Sequence, residues 1–213
     1  MSRVRAVVFD LDGTLVDSLR DIAEAVDGCL AEFGLPTHGE AAYRTLVGDG
    51  IGTLVRRAAP EGADLAQLER AVRRRYAAHF LDHTVPYPDV VPLLESLRRR
   101  ELPLAVLSNK PHEMTVAVVD ALFAPGTFVV VRGDRPPAPR KPDPAAAREV
   151  LAALGTAPDE TLMVGDTPVD LATARAISMP SAAVTWGFRS KEELAAHAPD
   201  HVLDAPLDLL ACL

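Results

Sequence analysis

Cysteine is almost missing from this chain of 213 residues. Cys29 and Cys212 are the only two, too few and too far apart for a disulfide framework or a zinc site with closely spaced ligands. Lysine is scarce as well: of 22 basic residues only Lys110, Lys141 and Lys191 are lysines. A lysine kept in so arginine-rich a chain marks a place that calls for a compact, strongly hydrated ammonium. No apolar run reaches the roughly 18 residues of a membrane-spanning helix, and the stretch from Met1 to Asp10 lacks the apolar segment and cleavage site of a signal peptide. A cytoplasmic protein with reduced thiols and no membrane partner is expected, as a monomer or homodimer. The formal net charge of -8 leaves no basic stripe to neutralise a nucleic-acid backbone. Without such a stripe no nucleic acid is expected to bind, and any small anion must be held by local charge.

Apolar content is ample, at 48% of residues, for a buried core. Five runs rich in β-branched residues or bounded by turn residues read as strands: 4–9, 104–107, 128–131, 162–164 and 181–185. Helical periodicity separates most of them. Leu93, Leu94 and Leu97 share one face, Met114, Val118 and Leu122 another, and Ala147, Val150, Leu151 and Leu154 a third, which Gly155 closes. Strand-helix alternation predicts an α/β fold, a doubly wound Rossmann-like parallel sheet covered on both faces. Residues 18–84 interrupt it with consecutive helical segments, so an inserted helical cap domain is expected there, with 1–17 and 85–213 forming the catalytic core.

The chemistry is expected just past the strands, because open parallel sheets bind ligands beyond the carboxyl ends of their strands. The first strand runs into Asp10-Leu11-Asp12-Gly13-Thr14, the second into Ser108-Asn109-Lys110. Lys141 follows the third, before Pro142 and Asp143-Pro144, and the fourth ends in Gly165-Asp166 with Asp170 four residues on. Clustered carboxylates repel one another, and a divalent cation relieves the repulsion. Oxygen-only ligands suit magnesium better than zinc. A cation beside an ammonium and a hydroxyl matches the negative charge spread over the oxygens of a phosphoryl group in transfer.

Those four motifs, in that order, resemble the signature motifs of the haloacid dehalogenase superfamily. Val47-Gly48-Asp49-Gly50, Ser108-Asn109-Lys110-Pro111-His112, Arg140-Lys141-Pro142-Asp143-Pro144 and Thr185-Trp186-Gly187-Phe188 look like its phosphoglycolate phosphatase branch. The resemblance implies Mg2+-dependent hydrolysis of a small phosphorylated metabolite, 2-phosphoglycolate above others, through an aspartyl-phosphate. It implies Asp10 as nucleophile, Asp12 as general acid and then base, and Lys141 as the neutralising cation. Metal ligands would be Asp10, Asp12 through its carbonyl, and Asp166, with Asp170 orienting a water or the lysine. Ser108, Asn109 and Thr14 would meet the phosphate, and Gly48 and Gly50 would let cap backbone approach the substrate. Dehalogenases and phosphonatases lack the second aspartate, and the phosphonatase Schiff-base lysine has no counterpart in residues 18–84, which hold no lysine. A phosphosugar mutase shares every core motif and is the alternative, with a catalytically silent regulatory module on the same fold as another.

Three further features read as structural. His79 and His83 are expected on a solvent-exposed helix end, Trp186 in partly buried packing, and the runs Arg73–Arg75 and Arg98–Arg100 on solvated faces. Where relatives by this resemblance carry glycine before the fifth strand, this chain has Ser178, and a left-handed serine there costs about 1 kcal/mol. The cap is expected to close as a lid, hinged near Asp17-Ser18 and at 86–88.

Overall fold

A computed structural model describes residues 4–213. Its strands are β1 (Ala6–Phe9), β2 (Val16–Asp17), β3 (Val85–Pro86), β4 (Leu104–Pro111), β5 (Val130–Asp134), β6 (Thr161–Gly165), β7 (Ser181–Val184) and β8 (His201–Leu203). Six of them form one parallel sheet in the order β5-β4-β1-β6-β7-β8, while β2 and β3 pair antiparallel as a short ribbon. The fold is the expected α/β Rossmann-like sheet, with β8 added at an edge where three residues are too short to show a periodicity.

Side chains alternate across the pleat. Val7 and Phe9 of β1, Leu104 and Val106 of β4, and Leu162 and Val164 of β6 face one core, closed by α5 (Val90–Arg99) and α6 (His112–Leu122). Val8, Ala105, Leu107 and Met163 face the other, closed by α7 (Pro144–Leu154) and α8 (Pro168–Ala176). Each fully buried leucine or valine contributes roughly 1.5–3 kcal/mol, and burial on both faces is why these strands read as continuous apolar runs. The start of α7 is fixed by the Asp143 side chain, which accepts from the Ala145 N–H, and its end by a left-handed Gly155. A short helix, α9 (Lys191–Ala195), follows β7, and a 3-10 helix (Pro206–Ala211) follows β8.

Between β2 and β3 lie α1 (Leu19–Glu32), α2 (Glu40–Leu46), α3 (Ile51–Ala58) and α4 (Leu65–His79). They bury a cluster of their own, including Leu30, Tyr43, Val55, Leu68 and Val72. The two chain crossings into and out of this helical unit are tied by Asp21, whose carboxylate accepts from the N–H of His83, the N–H of Thr84 and the Thr84 hydroxyl at 2.6–3.1 Å. Among the described residues no helix is long and apolar enough to cross a membrane.

Candidate active site

β1 lies at the centre of the sheet, flanked by β4 and β6, so the chain leaves it for one side and returns to the other. At such a switch point the carboxyl ends of neighbouring strands diverge and leave a crevice. Asp10 follows β1, Ser108 to Lys110 occupy the last turns of β4, and Asp166 follows β6. One carboxylate oxygen each from Asp10, Asp166 and Asp170 lies within 4.8 Å of the others, and all three side chains are buried.

Lys141 stands among them, with Nζ 2.6 Å from Asp170 Oδ1 and 2.8 Å from Asp10 Oδ1. The Lys141 ammonium is the one donor group placed beside Asp10 Oδ1 among the described residues. Asp166 is better satisfied: it accepts from the Thr14 hydroxyl at 3.2 Å and the Phe188 N–H at 2.8 Å. Asp170 accepts from the N–H and hydroxyl of Thr167, closing the first turn of α8. Two glycines leave the room. Gly13 sits at φ 86°, where a Cβ would be 2.2 Å from Asp166 Oδ2, and a Cβ on Gly187 would be 2.3 Å from the Gly13 carbonyl.

Three buried carboxylates against one ammonium leave an excess of negative charge. Burial pushes the Asp10 carboxyl up to about 7; Lys141 opposes the shift and Asp170 and Asp12 add to it. Burial, with Asp10 and Asp170 nearby, also raises Asp166 well above the usual carboxylate range. Lys141 is held above the ordinary lysine value: burial would lower it, and Asp10 and Asp170 more than offset that. An all-oxygen set of three clustered carboxylates with surplus negative charge fits a hard divalent cation.

The Asp12 carboxylate turns away from this cluster. It accepts from the Ser18 hydroxyl at 2.6 Å and from Lys110 Nζ at 3.0 Å. Asp10, Asp12, Ser108, Asn109, Gly48 and Gly50 all line one cavity of about 610 Å3, counted to its open mouth, roofed by α1, α3 and α4. The Asn109 amide bridges the two parts of the molecule, donating to the Gly48 carbonyl at 3.1 Å and the Lys141 carbonyl at 3.0 Å. Arg189 does the same from the other side, donating to the carbonyls of Arg44, Thr45 and Val47 at the end of α2.

The family model of the haloacid dehalogenase-like hydrolases matches residues 4–178. The chain belongs to this family. It is 37% identical to a phosphoglycolate phosphatase of Pseudomonas putida, over 98% of this chain and 78% of that one. To a phosphoglycolate phosphatase of Aquifex aeolicus it is 32% identical, over 97% and 95%. A haloacid dehalogenase-like family hydrolase of Streptococcus pneumoniae shares the fold with a TM-score of 0.90 at 28% identity, with 99% of each chain covered.

Within this haloacid dehalogenase-like frame most of the residues singled out in the sequence meet at one place. Thr14 joins the acidic cluster through its hydroxyl, which donates to Asp166; like Lys141, Asp166 and Asp170 it lies just behind the cavity lining. Of the polar lining, Lys110 is marked in the sequence by its residue type but given no role there, and Tyr76 is not singled out. Lys110 Nζ donates to the Tyr76 hydroxyl and lies 4.6 Å from that ring's centre. The scarcity of lysine was the available signal, since both Lys110 and Lys141 are buried here while Lys191 pairs with Asp204 on the surface. His79 and His83 are exposed, as expected; His79 pairs with Asp82 at 2.8 Å, and His83 lies 3.6 Å from Glu24. Ser178 does adopt φ 57° after α8, and Trp186 is partly buried, its indole N–H donating to the Thr14 carbonyl.

Proposed function

We propose that this phosphoric monoester hydrolase cleaves 2-phosphoglycolate or a close carboxylated relative, with Asp10 as nucleophile and magnesium as its divalent cation. The observation that carries the reading is the Asp10 carboxylate: buried on the cavity floor, 2.8 Å from the Lys141 ammonium and grouped with Asp166 and Asp170. The likeness to enzymes named phosphoglycolate phosphatase supports the substrate.

Asp10, Asp166 and the carbonyl of Asp12 would hold the cation, which when bound draws negative charge from the phosphoryl oxygens. Asp10 attacks phosphorus as the bond to the ester oxygen breaks. Asp12, whose carboxyl group faces the cavity and not the acidic cluster, gives its proton to the leaving alkoxide. It then takes a proton from the water that attacks the aspartyl-phosphate, which restores Asp10 and releases phosphate. Ser108 and the N–H of Asn109 hold phosphoryl oxygens. Lys141 keeps Asp10 aimed and offsets the charge brought by the substrate, and Asp170 fixes the ammonium of Lys141.

Residues 18–84 act in this reading as a cap over the cavity, hinged at Asp17-Ser18 and 86–88, which excludes water during transfer. A phosphate-release screen over metabolite monoesters, including 2-phosphoglycolate, pyrophosphate and sugar phosphates, tests the assignment. Activity is expected to vanish in EDTA and return with magnesium; equal turnover with and without metal would remove the mechanism.

A further inference from the structure

Every other charged side chain lining the cavity is acidic: Asp10 and Asp12 face it, and Lys110 is the one cation among its lining residues. A substrate with a carboxylate as well as a phosphate needs a second anion site, distinct from the one around Asp10. We propose that Lys110 and Tyr76 together form that site and select monoesters carrying a carboxylate one methylene from the ester oxygen. The proposal rests on the carboxylated-substrate reading above.

Elimination supports it. The remaining wall is largely apolar, from Ile22, Val26, Leu54 and Val72. The Asn109 amide donates to two carbonyls already, and Ser108 sits on the strand end beside Asp10. An ammonium has three donors. Lys110 gives one to Asp12 and one to the Tyr76 hydroxyl, which leaves a third with no acceptor among the described hydrogen bonds. The Tyr76 hydroxyl accepts from Lys110, and its own proton has no acceptor among them either. Two donors, one charged, are therefore free side by side at the cavity.

The spacing agrees with the chemistry. Asp12, the group placed to protonate the ester oxygen, is 3.0 Å from Lys110 Nζ. In 2-phosphoglycolate a single methylene separates the ester oxygen from the carboxyl carbon. The substrate atom that needs a proton and the substrate atoms that need a counter-charge are then each next to their partner at once. Burial makes the contact discriminating, since a cation taken from water is poorly served by a neutral substituent in the same place. Tyr76 belongs to α4, so the helical unit contributes half of the site and must be seated for it to exist.

The test compares kcat/KM for 2-phosphoglycolate with that for ethyl phosphate, which has the same two-carbon length and no carboxylate. The wild-type enzyme, Lys110→Met and Tyr76→Phe are measured in magnesium, with circular dichroism to confirm folding. The wild type is expected to prefer phosphoglycolate. The preference ratio should fall about 10–100-fold in Lys110→Met, mainly through KM, and about 3–10-fold in Tyr76→Phe. Loss common to both substrates reports on Asp12, and only the ratio reports on the carboxylate. Tyr76→Phe keeps the ring and its packing, so it decides the matter if Lys110→Met does not fold. A wild-type preference that both folded variants retain overturns this site and leaves the substrate reading standing. A wild type indifferent to the carboxylate overturns both.

Discussion

Replacing Asp10 by asparagine should make the metal-free protein more stable at neutral pH, while it abolishes turnover. The Asp10 carboxyl is pushed from 3.8 up to about 7, chiefly by burial. At about 1.4 kcal/mol per unit, that shift of about three units is worth on the order of 4 kcal/mol. The sign follows from which form the fold prefers. With the folded value above the unfolded one, the contribution is fully present below about pH 4 and is lost as pH rises through about 7. Asparagine does not titrate, so the variant keeps the pH dependence of the other groups and lacks that of Asp10. Its stability advantage over the wild type should widen by about 3 kcal/mol between pH 4.5 and 8 in EDTA. Urea unfolding across that range measures the gap. Magnesium at pH 8 should then narrow it, because the cation stabilises the ionised wild type more than the variant. A gap that stays constant with pH would refute the claim that burial of this carboxylate dominates its energetics.

Asp21→Ala removes the acceptor shared by the N–H groups of His83 and Thr84 and the Thr84 hydroxyl. It should cost about 2–4 kcal/mol and expose the chain near His83 to limited proteolysis; an unchanged cleavage pattern would mean the two crossings are held by other contacts. Ser178→Gly should raise the urea midpoint by about 0.5–1 kcal/mol of stability, since Ser178 sits at φ 57°. A lower midpoint would show that this serine carries no backbone strain.

The sheet was readable because its strands are buried on both faces and end abruptly in polar residues, as where Val7-Val8-Phe9 meets Asp10. The acidic cluster was readable for the same reason, since Asp10 and Asp166 directly follow strand ends and Asp170 lies in the first turn of the helix after β6. Partnerships across the chain were not. Lys110 and Tyr76 are 34 residues apart, and Asp21 and Thr84 are 63 apart; nothing local in either member announces the other. Thr14 and Asp166 are another such pair, 152 residues apart, whose hydrogen bond neither motif announces. β8 depends on pairing with β7 and not on its own three residues.

The apolar side chains that face the cavity are drawn from the packed interior of the helical unit. Ile22, Val26, Ile51, Leu54 and Val72 belong to the cluster that joins α1, α3 and α4. Enlarging the chamber by trimming any of them would leave a void in a load shared by three helices, at about 1–5 kcal/mol per truncation. Enlarging a side chain would strain the same packing. New substrate preferences are therefore more accessible through the polar floor and the Gly48–Gly50 rim than through this ceiling, whose shape is tied to whether the inserted helices fold at all.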